Sequence, residues 1–125
     1  MTTFHGPALD EVEGIGALTL GGFLAEVVER FGPNEALVLD DPLRGGTTVR
    51  WTYDELGREA RRIGCALVAI GAQPGDTVGI VMGNRPEAVA ALFGAAMAGA
   101  VVAPLSTFAP RPELAFMLQR AEVAV

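Results

Sequence analysis

A strand, a helix and a second strand in close succession restrict this chain more than any other feature. The β-branched run from Thr77 to Met82 reads as a buried strand, and Asn84 and Pro86 supply a cap and a first-turn proline for a helix to about Ala98 that Gly99 ends. Ala100 to Ala103 forms another apolar strand, closed by Pro104. The whole fits within about thirty residues, the size of a parallel βαβ unit with its right-handed crossover.

The segment before it begins at a capping box. Thr52 and Glu55 stand three residues apart, so the hydroxyl accepts from the third helical amide and the carboxylate reaches back to the cap's own amide. Tyr53, Leu56, Ala60, Ile63, Leu67 and Ile70 then recur at helical spacing, and Gly71 sits where a left-handed C-cap belongs. Pro74-Gly75-Asp76 is a turn. Further upstream, Leu20, Phe23, Leu24, Val27, Val28 and Phe31 make an amphipathic stripe with Thr19 as N-cap and Gly32-Pro33 as the stop. Glu35 to Leu39 and Thr47 to Trp51 read as strands of a hairpin around the turn-rich connector Asp40 to Gly46. Residues 1–17 show no sustained period and read as an N-terminal arm. Beyond Pro104 comes a loop, then a helix opened by Pro112 with Leu114, Met117, Leu118 and Ala121 on one face. Glu122 to Val125 starts a new apolar run, and a complete domain rarely ends inside a buried parallel strand, so the expectation is a fragment.

Composition narrows the function classes. Hydrophobic residues make up 50% of the 125 and charged ones 19%, enough for a packed core and too apolar for a disordered chain. The net charge of -6 disfavours nucleic acid and anionic membrane surfaces as partners. All nine basic residues are Arg, so Schiff-base chemistry and a phosphate-loop Lys are both missing. One cysteine, Cys65, and one histidine, His5, provide neither a disulfide framework nor a zinc site, which suits a reducing compartment, by default the cytoplasm. No secretory signal opens the sequence, and the apolar run from Ala88 to Leu105 is mostly Ala and Gly with Pro104 inside it, a poor membrane span.

Gly45-Gly46-Thr47-Thr48 resembles a phosphate loop in composition, yet no Lys follows and no helix opens behind it, so it reads as a hairpin connector. Gly14-Ile15-Gly16 lacks the third glycine and the preceding strand of a dinucleotide fingerprint. His5 reads as a solvated bystander and Cys65 as a small packing residue. Arg58, Arg61 and Arg62 lie within a turn of Asp54, Glu55 and Glu59 and read as a salt-bridged, solvated face. Arg111 falls in a loop at the carboxyl end of a strand, beside a helix N-terminus at Pro112, where parallel-sheet proteins bind ligands. Surface solvation is its simpler role. A small enzyme built on Arg111 and Asp76 has no nucleophile, base or metal cluster to work with.

Four blocks in order carry a resemblance: Trp51-Thr52-Tyr53-Asp54-Glu55-Leu56, Gly75-Asp76-Thr77-Val78-Gly79-Ile80, Asn84-Arg85-Pro86-Glu87, and Ala98-Gly99-Ala100-Val101-Val102-Ala103-Pro104-Leu105. Together they resemble the opening region of the AMP-forming acyl-CoA synthetases, the adenylate-forming superfamily. The resemblance covers residues 18–125 and implies an α/β fold, the start of that family's large N-terminal domain, with residues 18–125 an incomplete subdomain. In it a β-hairpin and a parallel βαβ unit lie between amphipathic helices. Ser106-Thr107 stands where the family often has Asn, which leaves acyl specificity open.

For a complete member the resemblance implies a carboxylic acid, ATP with Mg, and CoA as reactants. The acid attacks the α-phosphate of ATP, giving an acyl-adenylate and pyrophosphate, and the CoA thiol then displaces AMP. The family's phosphate loop with its Lys, its Mg-binding Glu segment, its ribose-holding Asp and its C-terminal-domain Lys have no matching positions here. The implied assignment is therefore no catalytic residue, no metal ligand and no cofactor held in this chain, with Arg111 as the candidate contact for a CoA or nucleotide phosphate. Association with the remainder of the enzyme follows from the same reading. A stand-alone α/β interaction module and one half of a split ligase are the alternatives.

Overall fold

The computed structural model describes residues 19–41 and 45–125. The expected arm over 1–17, His5, Gly14-Ile15-Gly16 and part of the hairpin connector lie outside the described residues. Eight elements follow in chain order: α1 Leu20–Phe31, β1 Glu35–Asp41, β2 Thr47–Thr52, α2 Tyr53–Ala69, β3 Thr77–Val81, α3 Pro86–Met97, β4 Val101–Leu105 and α4 Arg111–Arg120.

Local signals explain most of these boundaries. The Thr19 hydroxyl accepts from the Gly22 amide at 3.0 Å and starts α1. At α2 both halves of the capping box form: the Glu55 amide donates to Thr52 Oγ1 at 3.2 Å, and the Thr52 amide donates to Glu55 Oε2 at 2.8 Å. Gly71 takes φ of +101° where α2 ends, and Gly99 takes +77° after α3, a conformation that side chains rarely adopt. In the hairpin connector Gly45 and Gly46 have φ of +69° and +77°, and the chain runs on into β2 rather than a helix, which removes the phosphate-loop reading.

β1 and β2 pair antiparallel, and β3 and β4 pair parallel. The run after α4 bonds to the other edge of β3: Val123 bridges Thr77, and the Gly79 amide donates to the Val125 carbonyl at 2.8 Å. β3 is thus flanked on both sides. Alternation along β3 sets Val78 and Ile80 on one face, where Val78 packs with Leu67, Ala72 and Ala95. Gly79 faces the other way, where a Cβ would lie 3.5 Å from Leu118 of α4. The crossovers α3 and α4 therefore cover opposite faces of the parallel sheet.

α2 and α3 pack closely because small residues meet between them. A Cβ on Gly94 would stand 2.6 Å from the Ala60 carbonyl, and one on Gly64 would stand 2.8 Å from the Gly94 carbonyl. Leu24, Leu56, Ala60 and Ala90 form one buried cluster, against which Leu37, Trp51 and Phe93 pack. The hairpin and α1 are joined to the βαβ unit through this cluster.

Four expectations need correction. Asn84 does not cap α3: Arg85 occupies the cap position with φ of -133° and ψ of 154°, the extended backbone that the ring of Pro86 imposes on its predecessor. Pro104 does not end its strand, since it pairs with Ile80 and β4 runs on to Leu105. A strand with one neighbour tolerates a residue without an N–H. Arg111 is the first residue of α4 rather than part of a loop, because Pro110 takes the extended cap conformation and Pro112 fits the first turn. Cys65 and Ile70 are exposed, Ile70 at 68%, so neither packs inward.

Candidate functional site

The crossovers on opposite faces place a crevice at the carboxyl ends of β3 and β4, the position where open parallel sheets receive ligands. Met82 to Arg85 follow β3 at this end of the sheet, and Ser106 to Phe108 follow β4. The Ser106 hydroxyl accepts from the Phe108 amide at 3.2 Å, which tightens the second loop and leaves the Phe108 ring 95% exposed.

Arg85 is the most constrained side chain here. Its Nη1 lies 3.0 Å from Oδ2 of Asp41, which is 1% exposed at the end of β1, and its Nε donates to Glu87 Oε2 at 3.3 Å. The Glu87 hydrogen bond first, then the charges of Asp41 and Glu87, raise the Arg85 pKa above that of a free guanidinium. Arg85 therefore stays a cation, and its charge is already matched by two carboxylates. Its effect is to tie the end of the hairpin to the loop entering α3.

Next to this ion pair a groove of about 570 Å³ opens between β1, the end of β3 and α3. Its lining is mainly apolar, with Ile80, Met82, Val89 and Phe93 among its walls and Asn84 and Arg85 at its polar end. Asp41 and Arg85 escaped the sequence reading. Asp41 looked like part of a turn, and the Asn84-Arg85-Pro86-Glu87 block drew attention to Asn84 as a cap. The geometry that Pro86 imposes on Arg85 was the usable signal.

Arg111 stands at the same edge of the sheet, exposed at the start of α4, and has no ion-pair partner among the described residues. Arg62 pairs with Glu59 at 2.8 Å on the solvated side of α2, in keeping with the expectation for that cluster. Among the described residues no group of three or more His, Cys, Asp or Glu could hold a metal, and no helix is long and apolar enough to cross a membrane. Among the described residues no Gly-rich turn leads into a helix, and the sequence has no Lys, so these residues do not supply the amide cradle and Lys of a phosphate loop. The Asp41–Arg85 pair and the apolar groove beside it form a setting that can position and bind.

Comparison with known proteins places the chain among relatives. The acyl-CoA ligase sidI of Aspergillus fumigatus is 36% identical over 101 residues, which is 81% of this chain and 16% of that protein. The crotonobetaine/carnitine–CoA ligase of Escherichia coli is 29% identical over 111 residues, 89% of this chain and 21% of that protein. Among solved structures, the N-terminal domain of FACL13 from Mycobacterium tuberculosis superposes with a TM-score of 0.75 at 30% identity, covering 86% of this chain and 26% of that one. The chain thus spans about a sixth to a fifth of the length of these curated relatives. The family described as AMP-binding enzyme matches residues 24–125, the stretch that runs from the core of α1 to the Val123 bridge beside β3, and the chain belongs to that family.

Proposed function

We propose that the chain is the N-terminal part of an ATP-dependent, AMP-forming acyl-CoA ligase, with residues 18–125 an incomplete subdomain of its large N-terminal domain. The complete enzyme would join a carboxylic acid to CoA through an acyl-adenylate, releasing AMP and pyrophosphate, in the cytoplasm. The observation that carries this reading is the family match over residues 24–125, joined to acyl-CoA ligases among the relatives. The contribution of this segment is structural, and it is inactive alone. Adenylation builds negative charge on phosphate oxygens, and enzymes offset it with metal ions, Lys or Arg and preorganised amides. Losing one such contact commonly costs about 3 kcal/mol, and this chain lacks several together.

A chimera tests the reading. Residues 24–125 replace the matching stretch of the Aspergillus fumigatus ligase, and thioester formation is measured with its own acid. Activity above that of the ligase lacking the stretch is expected, while the 125-residue chain alone shows no Mg-dependent ATP–pyrophosphate exchange. Exchange by the pure chain overturns the assignment of a scaffold role. Arg111, placed at the carboxyl edge of the sheet, is assigned to a phosphate of CoA or the nucleotide. Arg111→Ala in the chimera should weaken use of one of these substrates by about 1 to 3 kcal/mol, the worth of a charge-assisted bond. Unchanged kinetics for both return Arg111 to the solvent.

A further inference from the structure

α1 lies lengthwise in the groove between α2 and α3. A Cβ on Gly57 would stand 2.8 Å from Val28 Cγ2, Leu24 shares a buried cluster with Leu56, Ala60 and Ala90, and a Cβ on Gly21 would stand 3.3 Å from Met97 Cγ. Passing back along α1 from Val28 to Gly21 therefore leads from Gly57 to Ala60 on α2 and from Ala90 to Met97 on α3. Beyond Gly21 the same groove continues as a cavity of about 570 Å³, lined by Arg61, Gly64, Cys65 and Val68 of α2 and by Met97 and Ala98 of α3. Met97 belongs to both parts, so the chain that enters α1 through Thr19 passes the mouth of this cavity.

The walls are apolar toward the end of α2 and cationic at one rim. Arg58, Arg61, Cys65 and Val68 follow at spacings of three and four, which puts them on one stripe of the helix. Val68 is 57% exposed, and Cys65 is exposed beside it. Arg62 is matched by Glu59, whereas Arg58 and Arg61 have no ion-pair partner among the described residues. At about 1.5 Å per helical residue the wall from Arg61 to Val68 is about 10 Å long, a span that three or four extended residues cover at about 3.3 Å each.

We propose that the segment before Thr19 is the occupant of this cavity: Ile15, Ala17 and Leu18 seat over Cys65 and Val68, and Asp10, Glu11 and Glu13 meet Arg61 and Arg58 at the rim. Two observations select it. The segment joins α1 at the mouth of the cavity, so only a short loop has to close and its entropic cost is small. Its charge is also complementary, because every Asp, Glu, Lys or Arg in it is acidic while the unmatched charges of the rim are guanidinium groups. Docked there, the segment pins the start of α1 to α2 and α3 and covers the single thiol of the chain. The assignment does not depend on the chemistry of the complete enzyme.

Alkylation of Cys65 by iodoacetamide, an uncharged reagent, tests it in the 125-residue chain. The thiol is expected to react about tenfold or more slowly than the same cysteine in a peptide of residues 58–69. Reaction at the peptide's rate overturns the proposal. Ile15→Ser with Leu18→Ser should restore most of that rate while far-UV circular dichroism keeps the helical signal. The near-isosteric set Asp10→Asn, Glu11→Gln and Glu13→Gln leaves the apolar residues in place and decides the matter even if the first variant loses helix. It should raise the rate about two- to fivefold, and added salt should do the same to the unaltered chain. A slow rate that neither the neutral set nor salt changes removes the segment from the cavity. Slowing that grows with protein concentration assigns the cavity to a second copy and also overturns the proposal.

Discussion

The two faces of the parallel sheet are built on different terms. On one, α2 and α3 bring Leu56, Ala60, Leu67, Ala90 and Ala95 below a tenth exposure, with glycine against backbone at Gly64 and Gly94. On the other, α4 buries none of its residues, and Phe116 stays 64% exposed. Bulk is not what closes an interface. Small residues let two helix backbones approach until their carbonyls meet Cα atoms, while a phenylalanine without a facing surface remains in water.

The largest change should come from filling the close approach. Gly94→Leu adds atoms where even a Cβ would collide with the Ala60 carbonyl, forcing α2 and α3 apart. A loss of about 3 kcal/mol or more is expected in urea unfolding, at the upper end for overpacking. A loss below about 1 kcal/mol would show that the interface slides without strain. Thr52→Ala probes the same face at the start of α2, removing one half of the capping box. About 1 kcal/mol is expected, with the helix shortened at its first turn by circular dichroism. Phe116→Ser on the opposite face should move stability by no more than about 0.5 kcal/mol. It should also lower binding of a dye that reports exposed apolar surface, and a clear destabilisation would mean that α4 is better packed than its exposure indicates.

How much could be read in advance followed the range of each interaction. The cap at Thr19, the capping box at Thr52 and Glu55, the left-handed Gly71 and Gly99, and the strand–helix–strand order all depend on residues within a few positions of each other, and all were legible. Pro104 was misread because its place in a strand depends on which edge of that strand is open, a property of the assembled sheet. Asp41 and Arg85 were missed for the same reason. One sits at the end of a hairpin strand and the other before a distant helix, and only packing brings them within 3.0 Å. Arg111 was located at the correct end of the sheet but assigned to a loop, since Pro112 seemed to mark the helix start when Pro110 does. The candidate site was therefore legible as a region and illegible as a set of contacts.

The strand β3 has consequences for the order in which the molecule forms. Its neighbours are β4, reached through one crossover, and the Val123 to Val125 segment, reached only after a second. The hairpin, by contrast, closes between strands joined by a short connector, an event of microseconds. A chain leaving the ribosome holds a finished hairpin and α2 while Thr77 and Gly79 still have one bare edge. That edge stays open until Val125 has emerged, for as long as it takes to synthesise the intervening residues, at about 5 to 20 per second. During those seconds the most apolar strand pair of the molecule is the one least protected from pairing with the wrong neighbour.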